Sequence, residues 1–400
     1  MLKNLLFRYK TSSKSNYHKL LWSIPKMLLL DKMVKTENIT REMAMKGTLQ
    51  WLINAQNATQ DGGVSGGFSM IFGWTKSYPE TTGYIMQTLI RHYNLFGEHE
   101  VLERAKRMAE WEVDILCEEG GTPSGGRPVA FNTGQVLMGW AELLRIENVP
   151  RIRDAAAKAG YWLMECMSSE GYFEKGVSDA SSHGKLSHNA MVSWGMMDIA
   201  MVLNDEKLAD AALRSALYYA GTVDQMGWPT MTGIDVPEVD FPLTHALGYT
   251  AQGLLETGLL SNNQELIEKS VKILKGSLNV MDAKTGFLPG RVSNGWSGGS
   301  SWTCLTGSAQ FACCMLSLEL SGRSEGFLPF AEKLIDFVIS TQFSYDALKL
   351  PIAYGVRGSF PFHFGGYCRA TYVNWAAKFH LDALHMLHRL EKLQNGNSLS

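Results

Sequence analysis

Apolar residues along the 400-residue chain fall into two helical patterns that alternate. In one, a single face is apolar. "SNNQELIEKSVKILKGSLNVMD" sets Ile267, Val271, Leu274, Leu278 and Met281 at the 4, 3, 4, 3 spacing of an amphipathic helix, and "GEHEVLERAKRMAEWEVDILCEE" lines up Leu102, Ala105, Ala109, Val113 and Leu116 in the same way. In the other, "HNAMVSWGMMDIAMVL" and "CLTGSAQFACCMLSLEL" are apolar nearly all round, as a helix without a solvent face must be. Strand-like alternation is confined to short pieces of loop, so the pattern predicts an all-α fold.

The fully apolar helices recur behind a Gly-rich, aromatic loop. Six such loop-plus-helix segments run from "GGVSGGFSMIFGWTKSYPETTGYIMQTLIRHYNLFG" to "IAYGVRGSFPFHFGGYCRATYVNWAAKFHLDALHML". Aligning Gly83, Gly134, Ala190, Gly248, Gly307 and Thr371 as helix openers gives steps of 51, 56, 58, 59 and 64 residues, a degenerate repeat. Six buried helices alternating with six amphipathic ones are best satisfied as an inner ring wrapped by an outer one, an (α/α)6 toroid of six helical hairpins over residues 37–392. No linker divides that span. Residues 1–36 form a basic leader and 393–400 a polar tail. In such a toroid the loops entering the inner helices gather at one mouth, and the inner helices present their positive N-terminal ends to it.

Composition narrows the function. A 45% hydrophobic chain with a net charge of -2 is globular and offers nucleic acid no basic surface. Charge is uneven, however: residues 1–35 hold eight Lys or Arg against the single Asp31, so the rest carries -9 by difference. The leader has no apolar run long enough for a signal core or a membrane span, which predicts a cytoplasmic protein. Its Leu, Phe and Trp interleaved with Lys suit two placements equally, peripheral contact with an anionic inner membrane or packing of a basic arm on the acidic body. The six cysteines form no CxxC pair, as expected of free thiols in a reducing compartment; no metal and no cofactor is indicated.

Three stretches are more specific. "GWTKSYPETTGYI", "FNTGQVLMGW" and "SHNAMVSWG", within a likeness covering about residues 45–390, resemble proteins of the VpsJ type encoded in bacterial exopolysaccharide and O-antigen clusters. The wider pattern resembles the toroids of carbohydrate-active enzymes: glycoside hydrolases, polysaccharide lyases and uronate epimerases. The resemblance implies an oligosaccharide or polysaccharide partner and a place in surface-polysaccharide biosynthesis. The DxDD motif and QW repeats of terpene cyclases and the zinc ligands of lanthionine cyclases are missing from the sequence.

Candidate chemistry lies in the loops. In "SYPETTGYI", Pro79 suits a helix start, Glu80 falls in the first turn, where a carboxylate is favoured, and Tyr78 stands beside it. A glycoside hydrolase would use two of the carboxylates Glu80, Asp235, Glu238 and Asp240, one protonated as general acid and one activating water or attacking the sugar, and Glu80 and Asp240, from repeats one and four, fall nominally opposite each other. Tyr78 or His188 would abstract the C5 proton in a uronate lyase or C5-epimerase. Substrate-binding candidates are Trp74; Arg127 and Asn132, the latter equally an N-cap; His183 and Asn189, near Asp179; and Asp235, Glu238 and His245. Trp296 and Trp302 suit stacking on sugar faces. His363, Arg369 and Tyr372 precede Asn374 and Trp375, with Arg369 the natural carboxylate or phosphate partner. Each has a structural alternative: a helix-end carboxylate, a surface imidazole, a solvated acidic loop, a core indole or a salt bridge. Three functions stay open, a hydrolase, a lyase or epimerase, and a non-catalytic glycan-binding assembly factor, with the carboxylate pair favouring the first.

Overall fold

A computed structural model describes residues 14–34, 38–177, 184–234 and 238–396. After a leading helix α1 (Lys14–Met33), outer helices α2 (Arg41–Asn57), α4 (His99–Ile115), α6 (Pro150–Cys166), α8 (Glu206–Gly221), α10 (Gln264–Leu278) and α12 (Leu328–Ile339) alternate with inner ones. The inner helices are α3 (Pro79–Phe96), α5 (Ala130–Ile146), α7 (Ala190–Leu203), α9 (Thr244–Leu260), α11 (Leu305–Leu320) and α13 (Asn374–Gln394). Each inner helix packs on the next and α13 returns to α3, so the ring is closed. The first five inner helices pair with the outer helix that follows them, whereas α13 takes α2. The sixth hairpin is thus built from the two ends of the chain. At the mouth, β1 (Gly67–Ser69) pairs antiparallel with β7 (Thr371–Val373), Phe68 opposite Tyr372, and reinforces the closure.

Inner helices touch backbone to backbone. A Cβ on Gly83 would lie 2.6 Å from Val136 Cα, and one on Gly134 2.7 Å from Val192 Cα. The return contacts are as close: Gly139 would meet the Gly83 carbonyl oxygen at 2.3 Å and Gly195 that of Gly134 at 2.1 Å. These glycines therefore sit where helices cross, not where they open. This corrects the register of the repeat: α7 starts at Ala190 but crosses α5 at Gly195, and Thr371 lies in β7, ahead of α13.

The leader contributes to the core. From Ser23 onward α1 lies on the toroid, burying Met27 and Leu30, with Val34 buried just beyond its end. Asp31 accepts hydrogen bonds from Arg357 Nη1 at 2.8 Å and from the Phe362 and His363 backbone N–H groups at 3.0 and 3.1 Å, and pairs with His363 Nδ1 at 2.7 Å. Arg357 has no exposed surface; the rings of Phe343, Phe360, Phe362 and Tyr372 box its guanidinium at 5.1 to 5.8 Å. A charge so enclosed needs a counterion, and α1 supplies it. The contact reverses the expected polarity, because the leader's one carboxylate meets a cation of the body.

Two consequences are measurable. Gly134→Ala is expected to cost about 1–3 kcal/mol, because the added methyl must separate α5 from α7; a urea midpoint equal to wild type would contradict it. His380, buried in α13 with neither ring nitrogen hydrogen-bonded among the described residues, is held by burial at about 3 instead of 6.5. The unfolded chain therefore takes up this proton first, and stability present above pH 6.5 is lost as pH falls toward 3. Between about pH 7 and 5, wild type should lose roughly 2 kcal/mol more than His380→Leu in paired urea titrations.

Candidate functional site

None of the six inner helices has a side-chain hydrogen bond from its N-cap residue, and four of those residues, Val129, Leu243, Cys304 and Val373, are poor caps. Of the outer helices, α2, α8 and α10 are capped by Thr40, Asp205 and Asn263, while α4, α6 and α12 have no side-chain cap either. Omitting a cap costs about 1 kcal/mol. The uncapped ends turn the positive poles of the helix dipoles toward the mouth, where negative groups are favoured. Glu80, in the first turn of α3, is one such group. The Tyr78 hydroxyl donates to Glu80 Oε2 at 2.5 Å, and both side chains are half-buried.

Aromatic rings build a bowl around this pair. The Tyr78 ring stands edge-on to Trp375 at 6.3 Å. Trp375 and Trp302 pack on a cluster of Leu243, Cys304 and Tyr367, and Tyr367 lies 6.0 Å from His245. On the other side, His188 meets Phe131 at 5.0 Å, Phe131 meets Tyr249 at 5.1 Å, and Tyr249 meets His245 at 4.1 Å. The floor is one turn down, where Tyr84 of α3 and Tyr249 of α9 both contact Phe379 of α13, at 5.6 and 6.1 Å. Burial pushes the Tyr84 phenol well above its ordinary range, with the neighbouring Tyr249 and Glu80 adding to the effect.

Beneath the floor, charges replace rings. Lys378 pairs with Asp382 at 2.7 Å and lies 5.0 Å from the Tyr84 ring centre. Arg145 pairs with Asp198 and Arg91 with Glu142, while Glu256 lies within the field of Arg91. Burial raises the Asp198 and Glu256 carboxyls, and the nearby guanidinium groups oppose the rise. Among the described residues no cluster of His, Cys, Asp and Glu is placed to hold a metal ion.

The structure separates the residues singled out from the sequence. Tyr78, Glu80, His188 and His245 share the bowl, and Trp302 lines it while lodged between Gly290 and Gly366. Arg127 is exposed on the hairpin of β3 (Pro123–Ser124) and β4 (Arg127–Pro128), ahead of α5. Asp240 is exposed on the loop before α9, and Glu238 is paired with Arg291 at 2.9 Å. Trp74 packs between Trp51 and Phe68.

Others serve the scaffold. Asn132 is no N-cap; as the third residue of α5 it donates to the Pro123 carbonyl at 3.3 Å. Asn189 holds the Gly184 and Leu186 carbonyls of its own loop. Trp296 is no stacking platform: it is buried edge-on to Trp228 at 5.2 Å, against Gly276 of α10. Tyr372 belongs to the box around Arg357, and His363 to the Asp31 contact. Arg369 donates to the His363 carbonyl at 2.5 Å, and burial lowers its guanidinium. His183, Asp235 and Asp179 lie outside the described residues. Phe131, Tyr249 and Phe379 escaped the sequence reading, because an aromatic in an inner helix carries no mark of facing the lumen, and so did Tyr367, one of many aromatics in the loop before α13.

The closed double ring with its single aromatic mouth defines an (α/α)6 toroid. No family model and no curated protein matches the chain. Among solved structures, an unsaturated glucuronyl hydrolase from Bacillus sp. GL1 is similar with a TM-score of 0.70 at 15% identity, over 88% of this chain and 97% of that one. Cellobiose 2-epimerase from Bacillus thermoamylovorans B4167 is similar with a TM-score of 0.66 at 13% identity, over 86% and 97%. A polysaccharide lyase is similar with a TM-score of 0.63 at 14% identity, over 88% and 97%. At these identities the likeness establishes the fold.

Proposed function

We propose that the protein is a carbohydrate-active enzyme that moves protons to and from a glycan held in the mouth of the toroid, with hydrolase-like acid/base chemistry centred on Glu80. The observation that carries this reading is the Tyr78–Glu80 hydrogen bond of 2.5 Å, set at the positive end of an inner helix inside a bowl of aromatic rings. Flat ring faces suit pyranose C–H groups. The uncapped helix ends and Arg127 favour an acidic sugar, and the similar glucuronyl hydrolase is named for one. In hydrolysis Glu80, favoured in its ionised form by the Tyr78 hydroxyl and the helix end, activates water or attacks the sugar, and a second group, the role assigned to Asp240, protonates the leaving glycosidic oxygen. The motif resemblance supports a place in bacterial exopolysaccharide or O-antigen biosynthesis, and the six free thiols support a cytoplasmic site of action.

A second reading, a lyase or C5-epimerase, is favoured by one specific feature. His188 and His245 stand in the same bowl as Tyr78. An imidazole is a better base for a carbon-bound proton than an exposed Asp240. A glycan-binding assembly factor would turn nothing over.

No described helix is long and apolar enough to cross a membrane. Peripheral contact with an anionic inner membrane fits the docked part of α1, whose solvent face carries Lys26, Leu28, Leu29 and Lys32.

With acidic and neutral oligosaccharides as probes, Glu80→Gln should lower turnover about 10²- to 10⁴-fold with the fold retained. Full activity in that variant sinks the mechanism. New reducing ends mark hydrolysis, a new ultraviolet-absorbing product marks elimination, and solvent deuterium at C5 marks epimerisation. For the membrane, deleting residues 1–35 is a poor test, since it strands Arg357 without Asp31. Replacing Lys26 and Lys32 by Glu and Leu28 and Leu29 by Ser keeps the anchor. That variant should lose the salt-sensitive binding to phosphatidylglycerol vesicles shown by wild type; equal binding by both refutes the contact.

A further inference from the structure

We propose that Gln310 is a positioning residue that holds His245 in the tautomer protonated at Nδ1, and that Gly248 is glycine to admit it. This rests on the reading that His245 works on substrate in the mouth. His245 is the second residue of α9, and Gly248 and Gln252 follow on the same helix face at i+3 and i+7. Gln310 reaches them from α11. All three polar side chains are buried, His245 and Gln252 at 2% exposure and Gln310 at 0%. Burying two primary amides in an inner-helix contact is costly unless their hydrogen bonds are made. They form a chain: Gln310 Oε1 lies 2.9 Å from His245 Nδ1, and Gln310 Nε2 donates to Gln252 Oε1 at 3.0 Å.

The chain has a direction. With its amide nitrogen committed to Gln252, Gln310 offers His245 only an acceptor, so Nδ1 carries the proton and Nε2 is the acceptor nitrogen of the ring. Turning both amides over would reverse the tautomer, and Gly248 argues against that. A Cβ at Gly248 would stand 2.6 Å from Gln310 Oε1, so the hydrogen in its place points at that oxygen. An oxygen there makes a C–H···O contact, whereas an NH2 group would drive hydrogen against hydrogen. A side chain at position 248 would displace the end of Gln310, a flexible group, and leave the helices where they are. The rings of Tyr249 at 4.1 Å, Tyr367 at 6.0 Å and Phe379 at 6.1 Å pack around the imidazole.

A chain that only stapled α9 to α11 would affect stability and leave the tautomer alone. The test is long-range proton–nitrogen NMR on the full chain labelled with nitrogen-15 histidine, the His245 signal being the one lost in His245→Gln. Wild type should show the Nδ1–H pattern. Gln310→Met should convert it to a tautomer mixture, and Gly248→Ala should do the same with Gln310 still present. Gln310→Glu, which keeps the acceptor, should restore Nδ1–H. An Nε2–H pattern in wild type, or an unchanged pattern in both Gln310→Met and Gly248→Ala, overturns the proposal. If Gln310→Met fails to fold, Gly248→Ala decides alone. The signal needs no substrate, so it stands apart from the failure of every glycan to react. On a glycan that wild type turns over, both variants should lower kcat about tenfold or more while KM moves little.

Discussion

The constraint on which the rest depends is the backbone contact between neighbouring inner helices. Glycine at Gly83, Gly134, Gly139 and Gly195 lets α3, α5 and α7 touch without side chains between them. A ring drawn in this tightly has a lumen narrow enough for single side chains to bridge. Tyr84, Phe131, Tyr249 and Phe379, from four different inner helices, meet across it and close the barrel one turn below its mouth. Wider spacing would leave a pore, and close packing makes a cup with a dry aromatic floor.

The floor divides the lumen into two chemical tiers. Above it stand a half-buried carboxylate with its phenol, Glu80 and Tyr78, and two buried imidazoles, His188 and His245. Below it the charges are numerous and answer one another within the protein, Lys378 with Asp382 and Arg145 with Asp198. Buried ions endure only when paired, and pairing across helices fixes which helix stands beside which. The lower tier thus serves the scaffold.

Much of this was legible in the sequence, and the failures have physical reasons. Periodicity separated one-faced outer helices from all-apolar inner ones, and Pro79 with Glu80 marked the start of α3. What periodicity cannot do is tell the lumen side of an inner helix from the side that meets its neighbour, since both are dry. Tyr249 and Phe379 therefore looked like packing when they line the cup, while Trp296 and Tyr372, on the segments before inner helices, looked like substrate contacts when the fold buries them. Asp31 was hidden for a different reason. One acid in a basic stretch reads as an exception, and only the fold brings Arg357, more than three hundred residues on, into contact with it.

The hairpin of α13 with α2, and the strand pair β1 with β7, join segments from opposite ends of the chain. During synthesis five inner helices emerge before the sixth, so the cup is an open arc with two raw apolar edges until α13 leaves the ribosome. Tyr78 and Glu80 are made with the first inner helix, but Trp375, the ring that stands edge-on to Tyr78, comes only with the sixth. Without α13 the ring has no closure, and the faces of α3 and α11 that pack on it lie uncovered.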